Sequence, residues 1–373
     1  MIPINKPWLG DQEKQEVLNI LEENTLTSPA YEGGKRVQEF ENILKSYINV
    51  KHVIAVNSGT SALHASLLSL GIKQGDEVIL PSFTFVATAN SVMASGSKPV
   101  FADINKQDYT IDVVDMAKKI NKNTKAIIPV HLYGHPSNMN EINSIAKEHG
   151  LYIIEDACQS LGSTYYQKQT GAIGDIGCFS FYASKVITTG EGGAIATNND
   201  DFAEKLKMIR NHGMIRGYDT SFFGLNMRLP ELCAGIGKIQ MRKLDSMLNI
   251  RRKNAEILSN GLKKFAQINS VIDLPTETMD KKYNWYLFTV GFKDKRKRDL
   301  VKNHLVDQGI GATIYYDPPV HKTPYYANIQ SLSDDVLPNT IWAWQHTLSL
   351  PVHPLMTEND LYNILKIFEN NMF

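Results

Sequence analysis

Cysteine is scarce in this chain: Cys158, Cys178 and Cys233 are odd in number, widely spaced and without a C-x-x-C pair. That pattern excludes a disulfide framework and argues against a structural zinc or iron–sulfur centre, so no metal site is expected. Neither sign of charge is in surplus, since Lys+Arg and Asp+Glu both number 39 and the formal net charge is zero. Without a block of like charge, the sequence supports neither a nucleic-acid groove nor a membrane-binding face. No apolar run approaches the roughly 18 residues of a membrane span. The opening Met1-Ile2-Pro3-Ile4-Asn5-Lys6-Pro7 has no charged-then-apolar export pattern. A soluble, cytoplasmic protein acting on small molecules is expected. The G-x-G-x-x-G fingerprint of dinucleotide binding and the G-K-[ST] of a P-loop are also absent, which weakens nucleotide-cofactor readings, a nicotinamide dehydrogenase included.

With 373 residues, 43% hydrophobic and 21% charged, the chain is long enough for one large domain and a smaller companion. From His52 to about Asn198, short β-branched runs alternate with helical patterns, as a sheet built from crossover units requires. The predicted strands are Val53–Val56, Glu77–Leu80, Pro99–Ala102, Ala126–Val130, Tyr152–Glu155, Ile176–Phe181 and Ala194–Thr197. Ser61–Leu70, Thr84–Ala94 and Met139–His149 have helical length and spacing. The reading is α/β, a mostly parallel, doubly wound sheet between helices. Texture changes after about Arg251: a charged helical stretch (Arg251–Phe265), a strand-like Trp285–Phe292, helices near Arg298–Asp307 and from Thr357, and a Pro-, Tyr- and His-rich segment from Tyr315 to Pro354. Residues 1–250 are therefore expected to form the large domain, and 251–373 a smaller α+β domain on which the N-terminal segment can pack.

Three constellations carry chemistry. In Val53-Ile54-Ala55-Val56-Asn57-Ser58-Gly59-Thr60-Ser61-Ala62-Leu63 a strand turns into a helix whose first N–H groups, with the hydroxyls of Thr60 and Ser61, suit a phosphate; Ser and Thr are equally common as plain helix caps. In Tyr152-Ile153-Ile154-Glu155-Asp156-Ala157-Cys158-Gln159 an apolar strand ends in acids at its carboxyl end, where ligands of open α/β sheets gather. A carboxylate there can hold a protonated ring nitrogen, ligate a metal or cap a helix. Lys185 follows the strand Cys178-Phe179-Ser180-Phe181 and precedes the Gly-rich Thr188-Thr189-Gly190-Glu191-Gly192-Gly193, so its amine is expected in the same crevice as Asp156. Partly desolvated or bonded as an imine, such an amine is nucleophilic near neutral pH.

These residues resemble the pyridoxal phosphate (PLP)-dependent sugar aminotransferases of the DegT/StrS group, which have the aspartate aminotransferase-like fold type I. The likeness runs along nearly the whole chain, through Ser58–Leu63, Pro81-Ser82-Phe83-Thr84-Phe85-Val86-Ala87-Thr88, Glu155–Gln159, Ser180-Phe181 before Lys185, and Thr188–Gly193. It continues through Arg210-Asn211-His212-Gly213, Asn226-Met227-Arg228 and Leu348-Ser349-Leu350-Pro351-Val352-His353-Pro354. The resemblance implies that Lys185 carries PLP as a Schiff base and that Asp156 pairs with its pyridine nitrogen. It implies that Gly59, Thr60 and Ser180 hold the phosphate, that Phe85 stacks on the ring and that Gln159 lies near its phenolic side. Asn226 matches a residue that reaches the cofactor phosphate of the neighbouring subunit, which implies a homodimer with shared sites. His131, His135 and His321 can line the substrate pocket or be ordinary loop residues. Arg228 can meet a donor carboxylate or a phosphate, or form a surface salt bridge.

The implied reaction moves an amino group from L-glutamate to a nucleotide-linked keto-deoxy sugar, and the opening Ile2–Pro7 looks more like the 4-keto branch. A dehydratase branch of the same group carries histidine at the Schiff-base position, so Lys185 favours transamination. A non-catalytic regulator would need loss of one of these residues or an added DNA-binding domain, and neither is present.

Overall fold

Short runs of Val, Ile and Ala suit strands covered on both faces, because branched side chains pack closely on a pleated surface. The computed structural model, which describes residues 1–267 and 272–372, joins these runs into a seven-stranded sheet. Its strands are β1 (His52–Val56), β2 (Glu77–Pro81), β3 (Lys98–Ala102), β4 (Thr124–Ile127), β5 (Tyr152–Asp156), β6 (Ile176–Ser180) and β7 (Gly193–Thr197). They lie in the order β1-β7-β6-β5-β4-β2-β3. Only β7 is reversed: it runs antiparallel to β1 and β6, and every other neighbouring pair in this sheet is parallel.

Alternation of side chains across the strands builds a core on each face. Val53, Ala55, Phe179 and Phe181 pack with Val37, Phe40 and Leu44 of the Lys35–Ile48 helix and with Leu244 of the Glu231–Gln267 helix. Ile54, Val56, Ile176 and Ile195 pack with Leu63 and Leu67 of the Gly59–Ser69 helix and with Leu206 of the Asp200–Arg210 helix. Phe40 and Phe181 meet edge-on with ring centroids 5.2 Å apart. Burying each such ring contributes about 1.5–3 kcal/mol.

Two differences from the expected elements have physical causes. β4 was expected over Ala126–Val130 but ends at Ile127, because Pro129 has no N–H to continue the ladder. Beyond it, Pro129 accepts the Asp156 N–H at 2.9 Å and Val130 keeps a single bridge to Asp156. The charged stretch Arg251–Phe265 is not a separate helix but the end of the 37-residue Glu231–Gln267 helix, which crosses position 250 unbroken. The change in texture there marks a change of neighbours. Ala234 and Met241 join the core under the large sheet, whereas Ala255, Leu258 and Leu262 join a second core with Phe288, Val290, Leu348, Leu350, Ile364 and Phe368. The N-terminal Ile2 packs against that second core.

The Tyr315–Pro354 segment is shared between the two cores: Leu348, Leu350 and Val352 stay with the C-terminal one, and an earlier part leaves it. Val320, Tyr326 and Leu337 pack on the large sheet. The Asp103 carboxylate accepts the N–H groups of Asn339 and Thr340 at 2.9 and 2.7 Å, at the start of the Pro338–His346 helix. Among the described residues no helix is long and apolar enough to cross a membrane.

Burial pushes His135 down to about 3 and His321 and His353 down to about 4. Each folded value lies below that of an unfolded imidazole, about 6.5, so the unfolded chain binds protons first. The stability these neutral rings contribute is complete above that value and is lost as pH falls toward 4. The thermal midpoint is expected to fall as buffer pH is lowered from about 7 to about 4.5; a flat profile would refute this account.

Candidate active site

Parallel strands end together, so the loops after β1, β2, β5 and β6 rise from one edge of the sheet. They enclose a cleft of about 520 Å³ whose walls include Gly59, Thr60, Phe85, Asp156, Gln159, Ser180 and Lys185.

Part of the wall is built from backbone. Ser58 caps the Gly59–Ser69 helix by accepting the Ser61 N–H at 3.0 Å, which starts the helix two residues earlier than periodicity suggested. No described residue accepts from the N–H groups of Gly59 or Thr60, which therefore face the cleft as free donors at the positive end of the helix. A Cβ on Gly59 would lie 2.8 Å from Ser180 Cβ and 2.9 Å from Cys158 Sγ, so the turn and β6 can approach this closely only with glycine. Ser180 Oγ accepts the Tyr182 N–H at 3.4 Å, leaving its own hydrogen to donate.

The same cleft is lined by Asp156, 6% exposed and without an ion-pair partner among the described residues. Its Oδ2 accepts from Thr88 Oγ1 at 2.8 Å and its Oδ1 from the Cys158 N–H at 3.2 Å. Thr84 Oγ1 lies 3.0 Å from Thr88 Oγ1 and supplies the next hydrogen in this relay. A buried carboxylate held only by neutral donors is poised for a cationic N–H arriving with a ligand. Its neighbour Glu155 points to the opposite face and is structural. Fully buried, it accepts from His131 Nε2 at 2.8 Å and from the N–H groups of Gly171, Ile173 and Gly174 at 2.8, 2.6 and 2.7 Å.

Lys185 closes the turn after β6, its N–H donating to Tyr182 O at 2.9 Å, and its Nζ lies 4.9 Å from the centre of the Tyr286 ring. The Gln159 amide is oriented from both sides: Oε1 accepts the Tyr133 N–H and Nε2 donates to Tyr316 Oη, each at 2.9 Å. Phe85, 55% exposed, stands over the cleft with its ring 5.9 Å from that of Tyr316. Burial pushes the Cys158 thiol far up, so it lies in the wall as a neutral group, unsuited to nucleophilic chemistry.

Several expected site residues lie elsewhere. The Ser61 hydroxyl is committed to the turn, donating to Asn57 Oδ1 at 2.6 Å, and is not part of the cleft wall. His131 is no pocket residue: it is wholly buried, with Nδ1 accepting the Ser137 N–H at 3.1 Å and Nε2 bonded to Glu155. His135 lies against Tyr283 with the rings tilted by 37° and centroids 4.0 Å apart, and is not part of this cleft's wall. His321 is buried and not part of the cleft wall, its Nδ1 2.6 Å from Ser82 Oγ and its Nε2 without a partner among the described residues. Arg228 donates to Asn211 Oδ1 at 2.7 Å and forms no ion pair among the described residues. The exposed Asn226 presents its carbonyl to Asn57 Nδ2 at 3.2 Å, and its side chain does not reach its own chain's cleft.

Tyr286, Tyr315, Tyr316, Thr84, Thr88 and Glu191 also line the cleft and were not singled out from sequence. Thr84 and Thr88 lay inside a quoted motif. The tyrosines come from the C-terminal third of the chain, where Tyr286 was read only as part of a strand and Tyr315 and Tyr316 only as part of a Pro-, Tyr- and His-rich segment.

The two adjacent acids should separate experimentally. Glu155→Gln leaves buried N–H groups short of acceptors and is expected to cost about 1–3 kcal/mol, read as a lower thermal midpoint with cofactor affinity little changed. Asp156→Asn should do the reverse, weakening PLP binding in equilibrium dialysis by about tenfold or more with the thermal midpoint little changed.

The model of the DegT/DnrJ/EryC1/StrS aminotransferase family matches residues 8–369. The chain is 35% identical to GDP-perosamine synthase of Caulobacter vibrioides, covering 98% of this chain and 96% of the relative. It is 37% identical to dTDP-3-amino-3,4,6-trideoxy-alpha-D-glucose transaminase of Streptomyces venezuelae, covering 88% and 85%. The crystal structure of Streptomyces venezuelae DesV in complex with a ketimine intermediate superposes with a TM-score of 0.90 at 33% identity, over 96% of this chain and 94% of that one. With its sheet order, its one reversed strand and a cleft at the carboxyl edge, the chain has fold type I; it belongs to the DegT/DnrJ/EryC1/StrS aminotransferase family and is a transaminase.

Proposed function

We propose that this transaminase binds PLP in the cleft and transfers an amino group from L-glutamate to a nucleotide-linked keto-deoxy sugar. The observation that carries the cofactor assignment is that three unlike groups line one cavity: free helix N–H donors at Gly59 and Thr60, the unpaired carboxylate of Asp156, and the amine of Lys185. They match in kind the phosphate, ring nitrogen and aldehyde of that cofactor. Gly59, Thr60 and Ser180 would hold the phosphate, Asp156 would keep the ring nitrogen protonated, and Phe85 and Gln159 would bound the ring. When bound, PLP supplies an electron sink for the carbon that loses its proton.

Lys185 Nζ is the base that takes the proton from the donor's α-carbon and returns it on the acceptor side. The face of Tyr286 beneath it keeps the amine in the cleft. Tyr315 and Tyr316 add hydroxyl-bearing walls suited to a sugar. Relatives named for GDP- and dTDP-linked amino sugars support a nucleotide-sugar acceptor, and the opening Ile2–Pro7 favours a 4-keto position. The assignment includes a cytoplasmic homodimer, in which the exposed Asn226 completes the phosphate site of the neighbouring subunit.

The visible absorbance of the PLP-loaded protein is expected to change on adding L-glutamate and to recover on adding a keto-sugar acceptor. A band indifferent to L-glutamate and other amino acids would overturn the transfer reaction. Lys185→Ala should lower turnover by at least about 10²–10⁴-fold while the protein still binds PLP noncovalently. Sedimentation should give a dimer.

A further inference from the structure

Arg251 is a buried cation without an acid. Its residue is 1% exposed, and no carboxylate pairs with it among the described residues. Among the described residues its donors reach only neutral oxygens: Nη1 donates to the carbonyls of Trp285 and Tyr286 at 3.3 and 3.2 Å, and Nη2 to Asn5 Oδ1 at 2.8 Å, while Nε has no partner. Burial pulls the guanidinium down to about 10, the cost of holding a charge out of water among neutral partners.

What Arg251 touches leads to Lys185 by two routes. Tyr286, whose carbonyl it holds, is the residue whose ring lies under Lys185 Nζ. Asn5, whose amide oxygen it holds, donates through Nδ2 to the carbonyl of Ser184 at 2.5 Å, and Ser184 directly precedes Lys185. The amide has one workable orientation, because Oδ1 also accepts the Lys6 N–H at 3.1 Å. Asn5 is itself anchored at a distance: the Ile2 N–H donates to Gly309 O at 2.7 Å and the Gly311 N–H to Ile2 O at 2.6 Å. The N-terminal segment thus clamps the lysine turn to the Glu231–Gln267 helix and to the C-terminal core.

We propose that Asn5 and Arg251 are positioning residues for Lys185, setting its backbone through Ser184 and the ring beneath its amine through Tyr286. The inference rests on the assignment of Lys185 as the residue that captures PLP.

Asn5→Asp separates the two links, since the carboxylate still accepts from Arg251 but cannot donate to Ser184. The test measures how fast apo-protein captures PLP on Lys185, by quenching with borohydride at intervals and locating the modified peptide by mass. The Asn5→Asp protein is expected to keep its thermal midpoint within about 3 °C of the parent. It should nevertheless capture PLP about tenfold more slowly, the scale of one hydrogen bond. Its kcat should fall by a similar factor with KM for L-glutamate little changed. Arg251→Lys should act in the same direction, since it loosens both Asn5 and the Tyr286 carbonyl. Parental capture rates in a folded Asn5→Asp protein would overturn the proposal. Failure of the parent protein to capture PLP on Lys185 would overturn the cofactor assignment and this inference with it.

Discussion

The carboxyl edge of the sheet governs everything else in this protein. Because β1, β2, β5 and β6 point the same way, the turn at Ser58, the loop carrying Phe85, the acid Asp156 and Ser180 all leave the sheet on one side. The reversed β7 lies between β1 and β6 and sets how far apart the turn at Ser58 and the end of β6 stand. Gly193, the first residue of β7, has no room for a Cβ, which would lie 2.4 Å from Ser58 O. Glycine at 59 and at 193 therefore lets the helix terminus and the strand ends crowd around one small volume. The donors there are backbone groups, already oriented before any ligand arrives, so binding need not order flexible side chains.

Strand alternation explains how two neighbouring carboxylates come to do different work. Asp156 faces the cleft, with a hydroxyl relay from Thr84 and Thr88 as support. Glu155 faces the other way and ties down the Gly171–Gly174 turn and His131. The relay orients Asp156 without neutralising it, since hydroxyls donate hydrogen bonds but bring no charge. The same economy recurs at Arg251, whose charge is spread over carbonyl and amide oxygens on its way to the lysine turn.

Much of the fold was legible because buried parallel strands read as short apolar runs, and all seven strands of the large sheet were found from that signal. Boundaries failed where a single residue overrides the pattern, as Pro129 does for β4. The long helix was divided too early because composition records the neighbours of a helix and not its continuity. Among site residues, Lys185, Asp156, Gly59, Thr60, Ser180, Phe85 and Gln159 share the cleft wall, whereas His131 is held in the core by Glu155 and Ser61 by its own turn. Histidine and serine carry the same atoms whether they serve a ligand or a neighbouring backbone, so type and position alone do not separate the two roles.

By itself the sequence determined the elements, the order in which they follow one another and the cofactor-type motifs at three strand ends, because those depend on local periodicity and on turns a few residues long. Only the tertiary structure decided which distant segments complete the cleft. Tyr286, Tyr315 and Tyr316 arrive from beyond the long helix, and Asn5 reaches the lysine turn from the other end of the chain. Such contacts depend on how separate cores dock and leave no periodicity in the residues that make them.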